Sequence, residues 1–182
     1  MIRLTKELVA MSFLQGLGAV ALSNELDFNL ARRSGLLINH ISSQITSQTI
    51  LAIVGNITNY VAQEVDLDPD NIDVQTGAVS PASVVETDSS RVMRHQAAFQ
   101  QESQITGTDG GAGFTTPFQQ NLEIDFRMMP LEERPISITS LRHNMRLTTA
   151  GTSGTIGGLI VMRYIIVELS LQELGIINAG RR

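Results

Sequence analysis

The hydrophobic positions of this chain fall into two rhythms, one near the start and another through the rest. Leu4, Leu8, Met11, Leu14 and Leu17 recur at spacings of three and four, the stripe of an amphipathic helix. With Thr5 as N-cap and Gly16 and Gly18 weakening the far end, this spacing predicts a helix over residues 5–18. From there the period falls to two. Leu26, Phe28 and Leu30 alternate with Asp27 and Asn29, and Arg32-Arg33-Ser34-Gly35 reads as a turn. The stretches 36–45 and 49–65 are rich in isoleucine, valine and threonine, which favour strands. Residues 66–90, with Pro69 and Pro81, read as a long polar surface excursion holding one short strand at 72–74.

The second half is mostly strand. A glutamine-diluted strand is expected over 91–105 and a loop over 107–117. Leu122, Ile124, Phe126 and Met128 then alternate with Glu123, Asp125 and Arg127, a half-buried strand. Pro130 and Pro135 bracket a short connection. Ile136 and Ile138, then Leu141, His143, Met145 and Leu147, give another strand, with a bulge expected where the phase slips. Residues 148–155, with Gly151 and Gly154, read as a hairpin loop. Residues 158–169 are apolar on both faces, Leu159, Val161, Ile165 and Val167 on one and Ile160, Met162, Tyr164 and Ile166 on the other. A central strand covered on both sides is expected. Ser170 and Glu173 form a capping-box pattern for one helical turn, closed by Gly175. About seven or eight strands without β-α alternation predict a mostly β fold, an antiparallel β-sandwich or single jelly roll with a short N-terminal helix. The expected division is an N-terminal helical segment, 1–20, and one sandwich domain, 21–182.

Composition narrows the function classes. A net charge of −5 argues against a protein that neutralises nucleic-acid phosphates, and Lys6 is the single lysine. Charged residues make up 17% of the chain, low enough that much of the surface is expected to be covered by partners. With no cysteine, disulfides, thiolate metal sites and cysteine nucleophiles are excluded. Arg3 and Lys6 precede an apolar stretch, Leu8–Val20, that resembles a secretory leader. Glu7 and Gln15 interrupt it, so it is read as mature structure, and it is shorter than the roughly 20 residues a spanning helix needs.

No constellation of catalytic residues is visible, and no cofactor, metal ligand or catalytic residue is assigned. His40, His95 and His143 lie far apart without fixed ligand spacing, and His143 on an apolar strand face reads as a hydrogen-bonded core histidine. Asp66, Asp68, Asp70 and Asp73 imitate a calcium loop, but Asn71, Pro69 and Gly77 break the pattern. Gly107, Gly110, Gly111 and Gly113 lack the Lys-Ser/Thr ending and the strand-turn-helix setting of a phosphate cradle. The sequon Asn56-Ile57-Thr58 falls in an expected strand, and Arg181 and Arg182 read as a surface tail. Glu123 and Asp125 sit on a polar strand face, the ordinary place for charges. There is no tryptophan, and Tyr60 and Tyr164 are the only tyrosines, which disfavours a carbohydrate-binding module built on aromatic platforms.

An assembly subunit remains as the best reading, with a ligand- or carbohydrate-binding sandwich on a cell or virion surface as the alternative. The segments Pro135–Ile138, Leu141–Leu147, Gly157–Tyr164 and Leu169–Leu174 resemble the terminal hairpin of small viral jelly-roll coat proteins. That resemblance covers the last third of the chain. It implies a single jelly roll repeated on an icosahedral shell in the virion, a homo-oligomer contacting copies of itself and other capsid proteins. It does not imply a basic genome-binding arm, because Arg3 and Lys6 are the only early basic residues; a shell over an inner membrane fits that gap. No small-molecule substrate is expected. Leu8, Met11 and Leu14 are the expected assembly interface, on the apolar stripe of the N-terminal helix, which must pack on the domain body or on a neighbouring subunit.

Overall fold

A computed structural model describes residues 1–17, 20–48, 57–67, 91–101, 118–149 and 155–180. Ten strands are present among them: β1 (Ile2–Arg3), β2 (Leu8–Leu17), β3 (Val20–Leu26), β4 (Ser34–Gln48), β5 (Ile57–Asp66), β6 (Arg91–Gln101), β7 (Phe118–Asp125), β8 (Ile136–Ser137), β9 (Leu141–Thr149) and β10 (Thr155–Glu168). One α-helix, α1 (Leu171–Gly180), follows them. Every strand pairing is antiparallel. β1 and β2 share one side of β10, β4 takes the other, and β7 and β8 share the far side of β4. The second sheet runs β3-β9-β5-β6.

The pairs are nested. β2 meets β10, β3 meets β9, β4 meets β8 and then β7, and β5 meets β6. A chain that pairs first with last and works inward is one long antiparallel hairpin, and rolled into two facing sheets it is the jelly-roll sandwich. The expected fold class is therefore present. The interior is filled by two apolar clusters, one around Ile41, Met93, Leu141 and Ile160, the other around Ile45, Val61, Met145 and Ile156.

The expected N-terminal helix is not there. Residues 8–17 are strand β2, in continuous register with β10 from Leu17↔Thr155 to Leu8↔Tyr164. The segment Leu-Val-Ala-Met-Ser-Phe-Leu-Gln-Gly-Leu carries apolar residues in both strand phases. Its helical stripe was one of two periods it satisfies, and pairing with β10 decides between them. The consequence for the expected interface is direct. Met11 points outward, but Leu14 points inward against the Ile45 cluster, and Leu8 shares Leu14's phase.

Other departures are local. β7 ends at Asp125, whose carboxylate accepts the Arg127 backbone N–H at 3.0 Å and starts a 3-10 turn over Phe126–Met128. The phase slip after Ile138 is a crossing between sheets: β8 pairs with β4, whereas β9 lies in the opposite sheet. The bulge sits instead in β4, where Arg163 faces His40 and Tyr164 faces Ile38, leaving Asn39 as the extra residue. It shifts the inward phase from Leu36 and Ile38 to Ile41, Ser43 and Ile45. Period-two strand ends earlier than expected near the start, at Leu26, and Phe28 instead packs edge-on against Tyr164 with ring centroids 5.1 Å apart. Ser170 and Glu173 form the expected capping box, with Glu173 N–H donating to Ser170 Oγ at 3.2 Å and Ser170 N–H to Glu173 Oε2 at 2.7 Å. The helix then runs past Gly175 to Gly180 rather than stopping after one turn. Its Leu174 and Ile177 cover Leu37, Ile165, Val167 and Leu169 on the outer face of β4 and β10. That half of β10 is covered on both sides as expected. The other half is not, since Arg163 is exposed and Leu159 and Val161 are half-buried. The strand expected at 72–74, the loop at 107–117, most of the acidic cluster, Asn56, Arg181 and Arg182 lie outside the described residues.

Candidate functional site

Two features stand out, one on the surface and one inside. The surface feature is β2. Among the described residues it pairs only with β10, so its other backbone edge carries no ladder. Its outward side chains Val9, Met11 and Phe13 are 58%, 66% and 57% exposed. Phe13 lies over Gly157, whose Cβ position would sit 3.0 Å from Phe13 Cε2. Beside them on β10, Leu159 and Val161 are half-buried. The strand has no charge and no proline, the two residue classes that ordinarily protect an edge from pairing with another chain.

The interior feature is a polar layer. Midway along the sandwich the largely apolar inward-facing stripes turn polar together. There, β2 places Ser12 between Ala10 and Leu14, and β4 places Ser43 between Ile41 and Ile45. β5 contributes Gln63 between Val61 and Val65, β6 His95 between Met93 and Ala97, and β9 His143 between Leu141 and Met145. β10 contributes Gly158 between Ile156 and Ile160. These polar side chains are all buried, and the layer separates the two apolar clusters. Gln63 and Met145 occupy the space that a side chain at 158 would need.

The layer is one directed chain of hydrogen bonds. Asn24, exposed on β3, donates from Nδ2 to Ser12 Oγ at 2.9 Å. Ser12 Oγ is 2.8 Å from His143 Nδ1, and His143 Nε2 is 3.3 Å from Gln63 Oε1. Gln63 Nε2 donates to Ser43 Oγ and to the Gln44 carbonyl at 3.2 Å, and Ser43 Oγ is 2.8 Å from His95 Nδ1. An amide oxygen can only accept, so His143 carries its proton on Nε2 and takes the Ser12 hydroxyl hydrogen at Nδ1. Ser43, filled by the Gln63 amide, likewise donates to His95 Nδ1. His95 Nε2–H ends the chain, buried with no hydrogen-bond partner. Burial pushes the His143 imidazole down to about 3 and lowers that of His95 as well. His143 is thus the hydrogen-bonded core histidine its sequence position implied.

Both Ser-His pairs are sealed between the sheets, where no substrate reaches them, so the arrangement can hold protons and fix register but cannot attack a bond. His40 lies on the outer face of β4 across from Asp125. The Asp125 carboxyl is held well below the usual range by the Arg127 guanidinium, 2.7 Å away. Glu64, fully buried on the outer face of β5, lies 3.2 Å from Arg91 and 3.2 Å from Arg94. Asp66, the one member of the acidic cluster within the described residues, is buried and accepts from Asn144 Nδ2 at 3.2 Å. No group of three candidate metal ligands occurs among the described residues. A cleft of about 600 Å³ opens beside the bulge, with Arg3, Arg127 and Arg134 on its walls and Ile165 and Val167 at its floor. Arg134 donates to Asn39 Oδ1 at 3.3 Å and Asn39 Nδ2 to Glu7 at 2.8 Å, so the bulge residue holds that wall together. No described helix is long and apolar enough to cross a membrane.

The pattern that reveals the layer is in the sequence: five largely apolar period-two stripes, each broken near its middle by a serine, glutamine or histidine. Read strand by strand, each break looks like ordinary dilution. Only the packing of the two sheets brings them together.

The strand pairing defines the class, a jelly-roll β-sandwich. No protein-family model matches the chain, and no curated protein sequence matches it. Among solved structures it is similar to the viral particle of infectious bursal disease virus, at 10% identity and a TM-score of 0.39, over 91% of this chain and 36% of that one. It is also similar to the empty head of turnip yellow mosaic virus, at 13% identity and a TM-score of 0.32, over 92% of this chain and 86% of that one. Mud crab tombus-like virus matches at 10% identity and a TM-score of 0.26, over 97% and 90%. This chain spans only 36% to 44% of the bursal disease virus chains it matches. Scores of this size carry no functional weight, and the jelly roll rests on the strand register alone.

Proposed function

We propose that this chain is a structural, non-enzymatic subunit of a viral coat or a similar large assembly, packed against copies of itself in the virion. The observation that carries the reading is β2, a ten-residue strand at the sheet edge among the described residues, with no charge and an outward apolar row at Val9, Met11 and Phe13. A long, unprotected, apolar edge is an aggregation hazard in a free monomer. It is an asset in a subunit whose edge is covered by a neighbour, where interfaces resemble a core cut in half. Of the residues expected at the interface, Met11 keeps that role, Leu8 contributes at the strand's end, and Leu14 acts from inside by holding β2 to the sandwich.

The test is the mass of the native particle, by light scattering after size exclusion with negative-stain microscopy of the peak. A capsomer-sized or closed-shell species is expected, and Met11→Asp should convert it to a folded monomer. A monomer of 19.8 kDa under all conditions, or assembly unchanged by that substitution, refutes the reading. One observation favours the alternative, a ligand-binding module: the cleft beside Asn39. Its arginines suit an anion with an apolar tail better than a sugar, since no aromatic ring lines it.

A further inference from the structure

The polar layer is costly to keep in a sandwich core. Five aliphatic side chains at its positions would fill the same space without ordering a chain of hydrogen bonds, and the His95 Nε2–H would not be left unmet. The chain also has a geometry that goes beyond filling space. It begins at solvent-exposed Asn24, on the open side of the sandwich where β2 and β3 lie, and runs inward through Ser12 to His143. Every donor points the same way.

That direction makes the chain sensitive to one added proton. A proton taken up at His143 Nδ1 turns that nitrogen from acceptor to donor, so it faces the Ser12 hydroxyl hydrogen head-on. Ser12 must rotate to accept from His143, and its own hydrogen then finds an acceptor only when the exposed Asn24 amide turns to present Oδ1 in place of its NH2. A proton at His95 Nδ1 produces the same conflict with Ser43, whose other lone pair is filled by Gln63. Among the described residues, no charged side chain on the neighbouring strands faces the two imidazoles. On β3, β5, β6 and β9 the adjoining charged side chains Glu25, Glu64, Arg94 and Arg142 alternate to the outer faces. On β2, β4 and β10 the adjoining residues are uncharged: Met11 and Phe13, Ser42 and Gln44, Gly157 and Leu159. On β7 the inward Leu122 and Ile124 are apolar, with Glu123 and Asp125 facing out.

We propose that the layer is an acid-release device, in which protonation of His143 and His95 reverses the hydrogen bonds at Ser12 and Ser43 and frees β2 and β3 from the sandwich edge. The device belongs to the single chain and does not rest on the assembly reading. Its sign follows from burial. Both imidazoles are held neutral in the folded chain, so the unfolded chain binds more protons once pH falls below about 6.5, and stability present above that pH is lost as pH drops. With His143 titrating near 3 when folded, this residue alone raises the unfolding constant roughly 30-fold between pH 8 and pH 5.

The experiment is urea unfolding of the full chain at pH 8 and pH 5, with hydrogen exchange followed strand by strand. Wild type should show at least that 30-fold rise, and β2 and β3 amides should lose protection at pH 5 before those of β4 and β5. The double variant His143→Gln/His95→Gln should flatten the pH response, while His40→Gln, on the outer face, should keep it. An unchanged pH response in the double variant overturns the proposal. If that variant does not fold, the three imidazoles of wild type are titrated by NMR. Two that stay neutral at pH 5 in the folded chain support the device, and three that titrate near pH 6.5 overturn it.

Discussion

Gly158→Ala is the smallest change that tests whether the layer is packed as tightly as it is bonded. The backbone angle at 158 is one that alanine adopts, so the substitution meets no conformational strain. The added methyl would instead collide with Gln63 Oε1, the acceptor for His143 Nε2, and would stand 2.7 Å from Met145 Sδ. Displacing Gln63 leaves a buried imidazole N–H without its acceptor, a penalty of about 1–3 kcal/mol. Crowding Met145 in a filled core adds about 1–3 kcal/mol, partly relieved because methionine adjusts its rotamers readily. The alanine returns about 0.4–1 kcal/mol by restricting the unfolded chain. The net expectation is a loss of about 2–4 kcal/mol, which at a urea slope of roughly 1–3 kcal/mol per molar moves the midpoint by about 1–2 M. Two other glycines calibrate the measurement. Gly157→Ala meets Phe13 Cε2 at 3.0 Å, but that ring is on the surface and can move, so its effect should stay below about 1 kcal/mol. Gly175→Ala in α1 meets nothing within 4 Å and should stabilise by about 0.5–1 kcal/mol. A Gly158→Ala midpoint no lower than that of Gly157→Ala would refute the tight placement of Gln63 against β10.

Leu37→Ala removes a fully buried side chain from the outer cluster under α1, and should cost about 2–5 kcal/mol, with helical circular dichroism lost at a lower temperature than the β signal. Glu64→Gln leaves the Arg91 and Arg94 guanidiniums beside a neutral amide in a buried site, and a thermal melt should report a loss of about 3–5 kcal/mol at neutral pH.

The sheet strands were readable wherever one face is polar. β9, with Leu141, His143, Met145 and Leu147 inward, and β7, with Leu122 and Ile124 inward, alternate cleanly, and period two appears in the sequence as it does in the structure. β2 was unreadable for the opposite reason. Its outer phase is as apolar as its inner one, so the residues fit a helical stripe equally well, and only the partner β10, 138 to 156 positions later, selects the strand. The crossing between β8 and β9 escaped the same way, because a sheet change and a bulge both slip the phase by one. His143 could be read as a core histidine from its strand alone. Its companions Ser12, Gln63 and His95 could not, because serine and glutamine on a strand are unremarkable until the packed sheets bring them into hydrogen-bond contact.

The two proposals meet on a single strand. β2 turns Val9, Met11 and Phe13 to the outside and Ser12 to the inside, so the contact that covers its outer face and the proton that enters at His143 act on the same ten residues. A neighbour bound to the outer row stabilises β2 in place by RT ln(1 + [L]/Kd), and the proton must overcome that added stability before Ser12 can turn away. Coupling of this kind is reciprocal. If covering β2 makes the layer harder to protonate, protonating the layer must weaken the cover by the same factor. On the two proposals together, assembled copies would hold their histidines neutral to a lower pH than free ones, and release, once it started at an uncovered edge, would remove the stabilisation from the next subunit in turn.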